Sequence, residues 1–506
     1  MQNNIVRVIL WGKEVGSLYW DDRRKRAVFT YHHDFLKAGT DIAPLSASIK
    51  DPRNRLPIYG LANDDIFCGL PAFIADSLPG RWGNAVLDAW AAENKIRTSE
   101  ITSVDKLLFI GKRGMGALEF EPARQIGQER SFQLSELYKK ALEILQGRED
   151  VSVAGEDLSL DALYEVGTSA GGNHSKAVIA INHETGEIRS GQVIQPEGFT
   201  YYLLKFAESK YYPLTKVEMA YADMAKEAGI TMMPSKLIDI DGESHFLTER
   251  YDRKGQQKIH TLSLAAMNPE ATSYEQLMEV CVKLGLPYKE REETFRRAVF
   301  NILTCNVDAH IRNFEFMMEQ GGEWHITPAF DLTFSCFNPK NRIDEYHYLS
   351  MNGKRTAITR DDMLAFAHIS KIDRPDSIIR ECVEAILNFR SYASKYGVGE
   401  YWQDIIERHF AEMSPNLLSR LHGYKPNVFN FMLEDVHVEE AQWKEMSNGA
   451  MRLTAHLNGQ EYKVTFSAKS PKGRQVLEQG GTKMTQEALR QFVEDFFLPR
   501  YRERNK

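Results

Sequence analysis

Three side chains in the stretch NILTCNVDAHIRNFEFMMEQGGEWHITPAFDLTFS, residues 301–335, have the types and spacing that phosphoryl transfer needs: Asp308, Asn313 and Asp331. Between the last two, the runs Phe314 to Met318 and Trp324 to Thr327 flank the turn signal Gln320-Gly321-Gly322-Glu323, which predicts a hairpin. A tight antiparallel pair brings its outer ends together. Asn313, just before the first strand, and Asp331, just after the second, are therefore expected to face one place. Phosphate oxygens call for magnesium, a hard cation that prefers oxygen ligands and takes few carboxylates from the protein. Asp331 and Asn313 suit that cation, and Asp308 stands where a carboxylate accepts or orients the proton of an attacking hydroxyl. Read singly, Asp308 caps a loop and Asp331 opens a turn, as most Asp residues near strand ends do. The spacing of three groups around a hairpin favours the site.

The elements that must position these groups come earlier in the chain. In EVGTSAGGNHSKAVIAIN, the glycines Gly167, Gly171 and Gly172 alternate with Thr168, Ser169 and Ser175, so the backbone can approach a phosphate and donate to it. Lys176 opens a strand that runs to Asn182. A Gly-rich loop before a strand rather than a helix excludes the Walker and Rossmann types and points to the hairpin loop that covers phosphates in kinases. The run TYYLLKFA, Thr200 to Ala207, is a strand with one charge, Lys205. Its ammonium needs a polar partner, either nucleotide phosphates or, for an edge-strand gatekeeper, water.

A helix from Leu214 to Ala228, stopped by Gly229, places Glu218 either to pair with Lys205 or to stay solvated. A hairpin turning at Asp241-Gly242 ends at Glu249-Arg250-Tyr251-Asp252, where a two-lobed kinase chain crosses between lobes; Tyr251 there is an adenine contact or a core aromatic.

With 506 residues, 43% of them hydrophobic and 26% charged, the chain is expected to be a soluble protein of several domains. A net charge of −7 carries no general attraction to nucleic acid or anionic membranes. The start MQNNIVRVILWGKEVG lacks a charged leader before a long apolar segment, and no stretch reaches the roughly 18 apolar residues of a membrane span. A cytoplasmic location without a membrane partner is the expectation. The cysteines, Cys68, Cys281, Cys305, Cys336 and Cys382, lack the paired spacing of a disulfide framework or a zinc site.

The fold class expected is α+β, a two-lobed protein-kinase-like fold with a β-rich N-terminal domain and a mostly helical C-terminal lobe. Residues 1–128 open with a β-meander (Ile5 to Trp11, Val15 to Trp20, Ala27 to Tyr31) and turn helical from Ile66 to Glu93, broken at Pro79-Gly80; they read as a structural or partner-binding domain. Residues 129–260 form the small lobe with the Gly-rich loop. Residues 261–424 form the helical large lobe, with helical runs Tyr274 to Leu284, Glu290 to Leu303, Ile378 to Tyr392 and Tyr401 to Leu421. Residues 425–506 are an appendage, with two strands around Asn458-Gly459 and an amphipathic helix from Thr485 to Tyr501.

From Ile5 to about Tyr424 the chain resembles the HipA family of bacterial type II toxin-antitoxin serine/threonine kinases. The resemblance is carried by GLPAFIADSLPGRWG, VGTSAGGNHSKA, YYLLKFA, FLTERYDR, NVDAHIRNF and PAFDLTFS in that order. It implies ATP and Mg2+ as cofactors, Asp308 as the catalytic residue, and Asn313 and Asp331 as the metal ligands. It further implies ATP binding by Gly171, Gly172, Lys176 and Lys205, and by Glu249, Tyr251 and Asp252 near the adenine. Ser169, with Thr168 as the alternative, becomes the candidate for autophosphorylation.

The resemblance also implies a small helix-turn-helix antitoxin of the HipB type and contact with DNA only through it. The implied substrate is a protein, which in the best-known members is an aminoacyl-tRNA synthetase whose modification halts translation. A phosphate on Ser169 adds about −1.5 to −2 charges beside groups meant for ATP phosphates, so it is expected to switch the enzyme off. Two other readings use the same core: an inactive nucleotide-binding partner of a DNA-bound antitoxin, and a small-molecule kinase. The presence of Asp308, Asn313 and Asp331 together speaks against the first, and the GLPAFIADSLPGRWG segment against the second. Residues 425–506 run past the usual family length, as a partner-binding module or a brace.

Overall fold

Tight left-handed turns set the strand pairing. Trp11 and Gly12 both have positive φ, 48° and 75°, the geometry of a two-residue hairpin turn whose twist matches its strands. They join β1 (Val6–Leu10) to β2 (Lys13–Asp21), and β3 (Arg26–Tyr31), β4 (Ile58–Tyr59) and β5 (Leu118–Glu121) complete a sheet of order β4-β3-β2-β1-β5. The computed structural model describes residues 5–62, 64–98, 101–123, 131–145, 160–167, 171–209, 212–336, 346–418, 421, 429–433, 436–447, 450–458, 460–467 and 486–504. Two compact units divide the chain: Met1–Phe334 with Tyr346–Gly399, and Ser335–Glu345 with Glu400–Lys506.

In the first unit a second sheet carries the Gly-rich loop. Its strands β6 (Lys176–Asn182), β7 (Ile188–Ser190), β8 (Phe199–Lys205), β9 (Ser235–Ile240) and β10 (Glu243–Glu249) run in the order β7-β6-β8-β10-β9. Asp241 and Gly242, at φ 54° and 82°, make the expected turn between β9 and β10. Lys205 pairs with Lys176 on one side and Phe246 on the other, so it sits in the sheet's central strand. That position removes the edge-gatekeeper reading. The helix Leu214–Glu227 lies against this sheet, burying Met219 and Ala222 with Phe246.

A short ribbon follows, β11 (Arg253–Lys254) with β12 (Gln257–Lys258), and then β13 (His260–Ser263). β13 adds to the expected hairpin of β14 (Glu315–Met318) and β15 (Trp324–Ile326), giving a three-stranded sheet β13-β14-β15. Helices Tyr274–Lys283, Tyr288–Leu303, Arg360–Ser370, Pro375–Leu387 and Phe389–Lys395 form the rest of this lobe. The predicted run Ile378 to Tyr392 is thus two helices separated at Asn388.

The second unit joins the helix Glu400–Met413 to an antiparallel sheet of β16 (Phe429–Leu433), β17 (Val436–Glu445), β18 (Met451–Leu457) and β19 (Gln460–Phe466). Pro415, which has no N–H to continue the first helix, begins a separate turn at Pro415–Leu418. Leu489, Phe492, Val493 and Phe497 from the last helical run bury against Leu453, Ala455 and Leu457. β18 and β19 are the two strands expected around Asn458; β16 and β17 were not foreseen. Among the described residues no helix is long and apolar enough to cross a membrane.

Candidate active site

A cavity of about 870 Å³ opens in the first unit, bounded by the second sheet, the segment leading to Asp331 and residues of the N-terminal domain. That volume suits a small-molecule or cofactor site, for which about 300–1,000 Å³ is usual. Gly171, Gly172, Lys176, Lys205, Glu249, Tyr251, Asp252, Asn313 and Asp331 all line it. Asp308 is exposed and is not among the lining residues. Thr168 and Ser169 lie outside the described residues.

Lys205 is the electrostatic centre of this cavity. Its ammonium donates to Glu218 Oε1 at 2.6 Å and to Asp331 Oδ1 at 2.5 Å. Burial opposes the charge on Lys205, but the two carboxylates outweigh it and hold its pKa above the usual lysine value. Burial likewise pushes Asp331 up, yet Lys205 and then Lys176 overcome that and keep it ionised well below the usual carboxylate range. Asp331 also sits at φ 56°, a left-handed backbone that Asp tolerates better than most residues. The approach to it is tied down by Ala329 N donating to Thr231 O at 2.8 Å and by Arg297 Nη2 donating to Thr327 O at 2.8 Å. From the helix that carries Glu218, Tyr221 donates through its hydroxyl to Thr304 O at 2.6 Å, which fixes that helix to the start of the Asp308 loop.

The loop from Asn306 to Asn313 is knotted by its own backbone. His310 N donates to Asp308 O at 2.7 Å, Asn313 N to His310 O at 2.8 Å, and Asn313 Nδ2 to Asp308 O at 3.1 Å. The amide nitrogen of Asn313 is thereby used, and its Oδ1 is the atom suited to a cation. β14 and β15 pair as Phe316 with Ile326 and Met318 with Trp324, and Thr327 N extends the ladder to Glu315 O at 3.0 Å. The hairpin's outer ends therefore meet, bringing Asn313 and Asp331 to one cavity. Among the described residues no group of three or more His, Cys, Asp or Glu side chains could cage a metal. One carboxylate and one amide oxygen fit Mg2+, which draws its other ligands from water and phosphate.

Lys176 is buried, and its ammonium donates to Gly171 O at 2.5 Å, pinning the Gly-rich loop. Burial, followed by the charge of Lys205, lowers its pKa to about 8. Tyr251 donates its hydroxyl to Glu315 Oε2 at 2.7 Å and stacks on Phe330 with ring centroids 5.6 Å apart. Asp252 needs correction as a nucleotide ligand. Its buried carboxylate accepts from Arg250 Nε at 2.8 Å and Nη2 at 2.6 Å, from Arg253 Nη1 at 2.8 Å and from Gly116 N at 2.7 Å. With its lone pairs so engaged, it braces the chain crossing against the N-terminal domain and has little left for ATP.

His310, Arg312, Glu315 and Asp76 also line the cavity and were not singled out from the sequence. His310 and Arg312 could have been found, since they stand between Asp308 and Asn313; nothing local marks Glu315 or Asp76. Burial, and then the nearby Asp76 carboxylate, push Glu315 up to about 8. A carboxyl whose folded pKa is raised contributes stability that is complete below its unfolded value and is lost as pH rises through the folded one. Stability is thus expected to fall between pH 4.5 and about 8, and Glu315→Gln to flatten that fall in urea unfolding measured across the window. Equal slopes for the two proteins would exclude Glu315 as the titrating group.

A lysine of a central strand held by a helix carboxylate, facing metal-type ligands across an interlobe cavity, defines a two-lobed protein-kinase-like fold with a β-rich N-terminal domain. Family models for the HipA N-terminal domain and the HipA-like C-terminal domain match residues 6–121 and 168–389. The chain belongs to the HipA family.

A Shewanella oneidensis protein named "Serine/threonine-protein kinase toxin HipA" is 21% identical over 355 residues, which cover 63% of this chain and 72% of that protein. A Haemophilus influenzae protein named "Putative kinase" is 28% identical over 150 residues; the match covers 26% of this chain and spans less than half, 44%, of that protein. Among solved structures, a chain of the Shewanella oneidensis MR-1 complex of HipA, HipB and operator DNA aligns with a TM-score of 0.57 at 16% identity, over 83% of this chain and 97% of that one. At that identity the likeness speaks for the fold.

Proposed function

We propose that this protein is an ATP-dependent serine/threonine kinase toxin that phosphorylates a protein substrate and so arrests growth. The carrying observation is the Lys205 ammonium, bonded at once to Glu218 at 2.6 Å and to Asp331 at 2.5 Å in a cavity that Asn313 also lines. In the reaction, the bond between the γ-phosphorus and its bridging oxygen breaks as the substrate hydroxyl oxygen bonds to phosphorus. The hydroxyl proton passes to Asp308, and ADP leaves. Lys205 and Lys176 hold the phosphates, and amides of the Gly171-Gly172 loop donate to them. Asp331 and Asn313 would hold Mg2+, which when bound neutralises charge on the phosphate oxygens.

Family likeness supports the finer parts of this reading. The substrate class would be an aminoacyl-tRNA synthetase, and the holding partner a helix-turn-helix antitoxin of the HipB type that alone touches DNA, in keeping with the net charge of −7. Phosphorylation of Ser169 or Thr168 would end activity by placing charge beside the phosphate site. The test is incubation with γ-labelled ATP and Mg2+ in a cell lysate, followed by mass spectrometry of labelled proteins. Label on a serine or threonine of a distinct protein is the expected result. ATP binding without transfer would instead make the protein a nucleotide-sensing partner of its antitoxin.

A further inference from the structure

The segment Leu78–Trp82 belongs to the N-terminal domain, yet it forms part of the cavity wall and rests on the phosphate loop. Leu78, Pro79, Gly80 and Arg81 all line the cavity. Gly80 lies against the loop so closely that an added Cβ would stand 2.7 Å from Gly172 O and 2.8 Å from Gly171 C, both backbone atoms that cannot swing aside. Its φ of −70° is open to any residue, so the glycine is required by this close approach and not by a turn. Trp82, which is 2% exposed, donates its indole N–H to Lys176 O at 2.9 Å and its backbone N–H to Gly172 O at 3.3 Å. Asn84 locks the segment from below, donating through Nδ2 to the carbonyls of Pro79 and Gly80 at 3.0 Å each.

The cationic side chains of the cavity separate into three kinds. Lys205 is bonded to two carboxylates, and Arg250 to Asp252. Lys176, Lys106 and Arg312 donate to Gly171 O, Asn84 Oδ1 and Ile66 O. Arg81 is exposed and, among the described residues, makes no hydrogen bond or ion pair. A nucleoside triphosphate brings several negative charges to a loop where Lys205 is already shared by two carboxylates, so a further cation beside Lys205 and Lys176 has charge to meet. Guanidinium is suited to phosphate because its planar fork offers two parallel donors.

We propose that Leu78–Trp82 is part of the nucleotide site, with Gly80 and Trp82 positioning the phosphate loop and Arg81 binding the polyphosphate. The N-terminal domain is then a working half of the site, and a partner that shifted it would move the phosphate loop. This inference rests on the ATP-site reading above, and binding measurements on the full chain separate the two. Calorimetric titration with a non-hydrolysable ATP analogue and, separately, AMP should show Arg81→Ala weakening the analogue by about tenfold, the size of one charge-assisted hydrogen bond, with AMP unchanged. Gly80→Ala should weaken the analogue as well. A parent protein that binds neither nucleotide would overturn the ATP-site reading itself. A parent that binds the analogue, with an Arg81→Ala variant that binds both ligands as the parent does, would overturn only the role given to this segment.

Discussion

Asp308→Ala is expected to slow phosphoryl transfer by about 10²- to 10⁴-fold, the contribution of a positioned general base, while leaving ATP affinity as it was. The structure makes this substitution informative. The hydrogen bonds that Asp308 accepts from His310 N and Asn313 Nδ2 are made by its main-chain carbonyl, which alanine keeps. The main-chain knot that places Asn313 should therefore survive the substitution. Asp308 is exposed and stands outside the cavity that Asn313 and Asp331 line. Single-turnover transfer and ATP titration on the same preparations check it. A rate equal to the parent's removes Asp308 from the chemistry.

Lys205→Met should cost both activity and stability. Lys205 and Glu218 are nearly fully buried, with side chains 8% and 5% exposed, and Asp331 shares the same ammonium. Removing the cation strips Glu218 of its bonded partner and leaves two close carboxylates with only the more distant Lys176 to offset them, a loss of about 3–5 kcal/mol for a broken buried pair. Adding Glu218→Gln to Lys205→Met takes away the orphaned charge, so most of that stability should return while transfer stays absent. Denaturant unfolding and labelled-ATP transfer on the two variants separate the effects. If Lys205→Met were as stable as the parent, the buried ion pair would not be holding the helix Leu214–Glu227 to its sheet.

The short-range features of this site follow from local order along the chain. Two aromatic-rich runs around a Gln-Gly-Gly-Glu turn can pair in few ways, so Asn313 and Asp331 had to emerge at one end of a hairpin. Asp241-Gly242 likewise dictated its own turn, because few other residues accept two successive positive φ values. The lysine in the apolar strand Thr200 to Ala207 called for a polar partner, with Glu218 as one choice beside phosphate and water; the sheet decided it, by placing Lys205 in the central strand and bonded to Glu218.

What depended on tertiary structure involves groups far apart in the chain. Asp252 became a brace because Gly116, 136 positions away, supplies an amide to it. The acidity of Glu315 changed because folding buries it near Asp76, from a different domain. The unremarkable φ of Gly80 gave no sign that its missing Cβ makes room for the backbone of Gly171 and Gly172. Periodicity and turn chemistry report what a segment does with its own backbone. Charge pairing, desolvation and steric clearance are set by whatever the completed fold brings alongside, and no pattern within a segment encodes them.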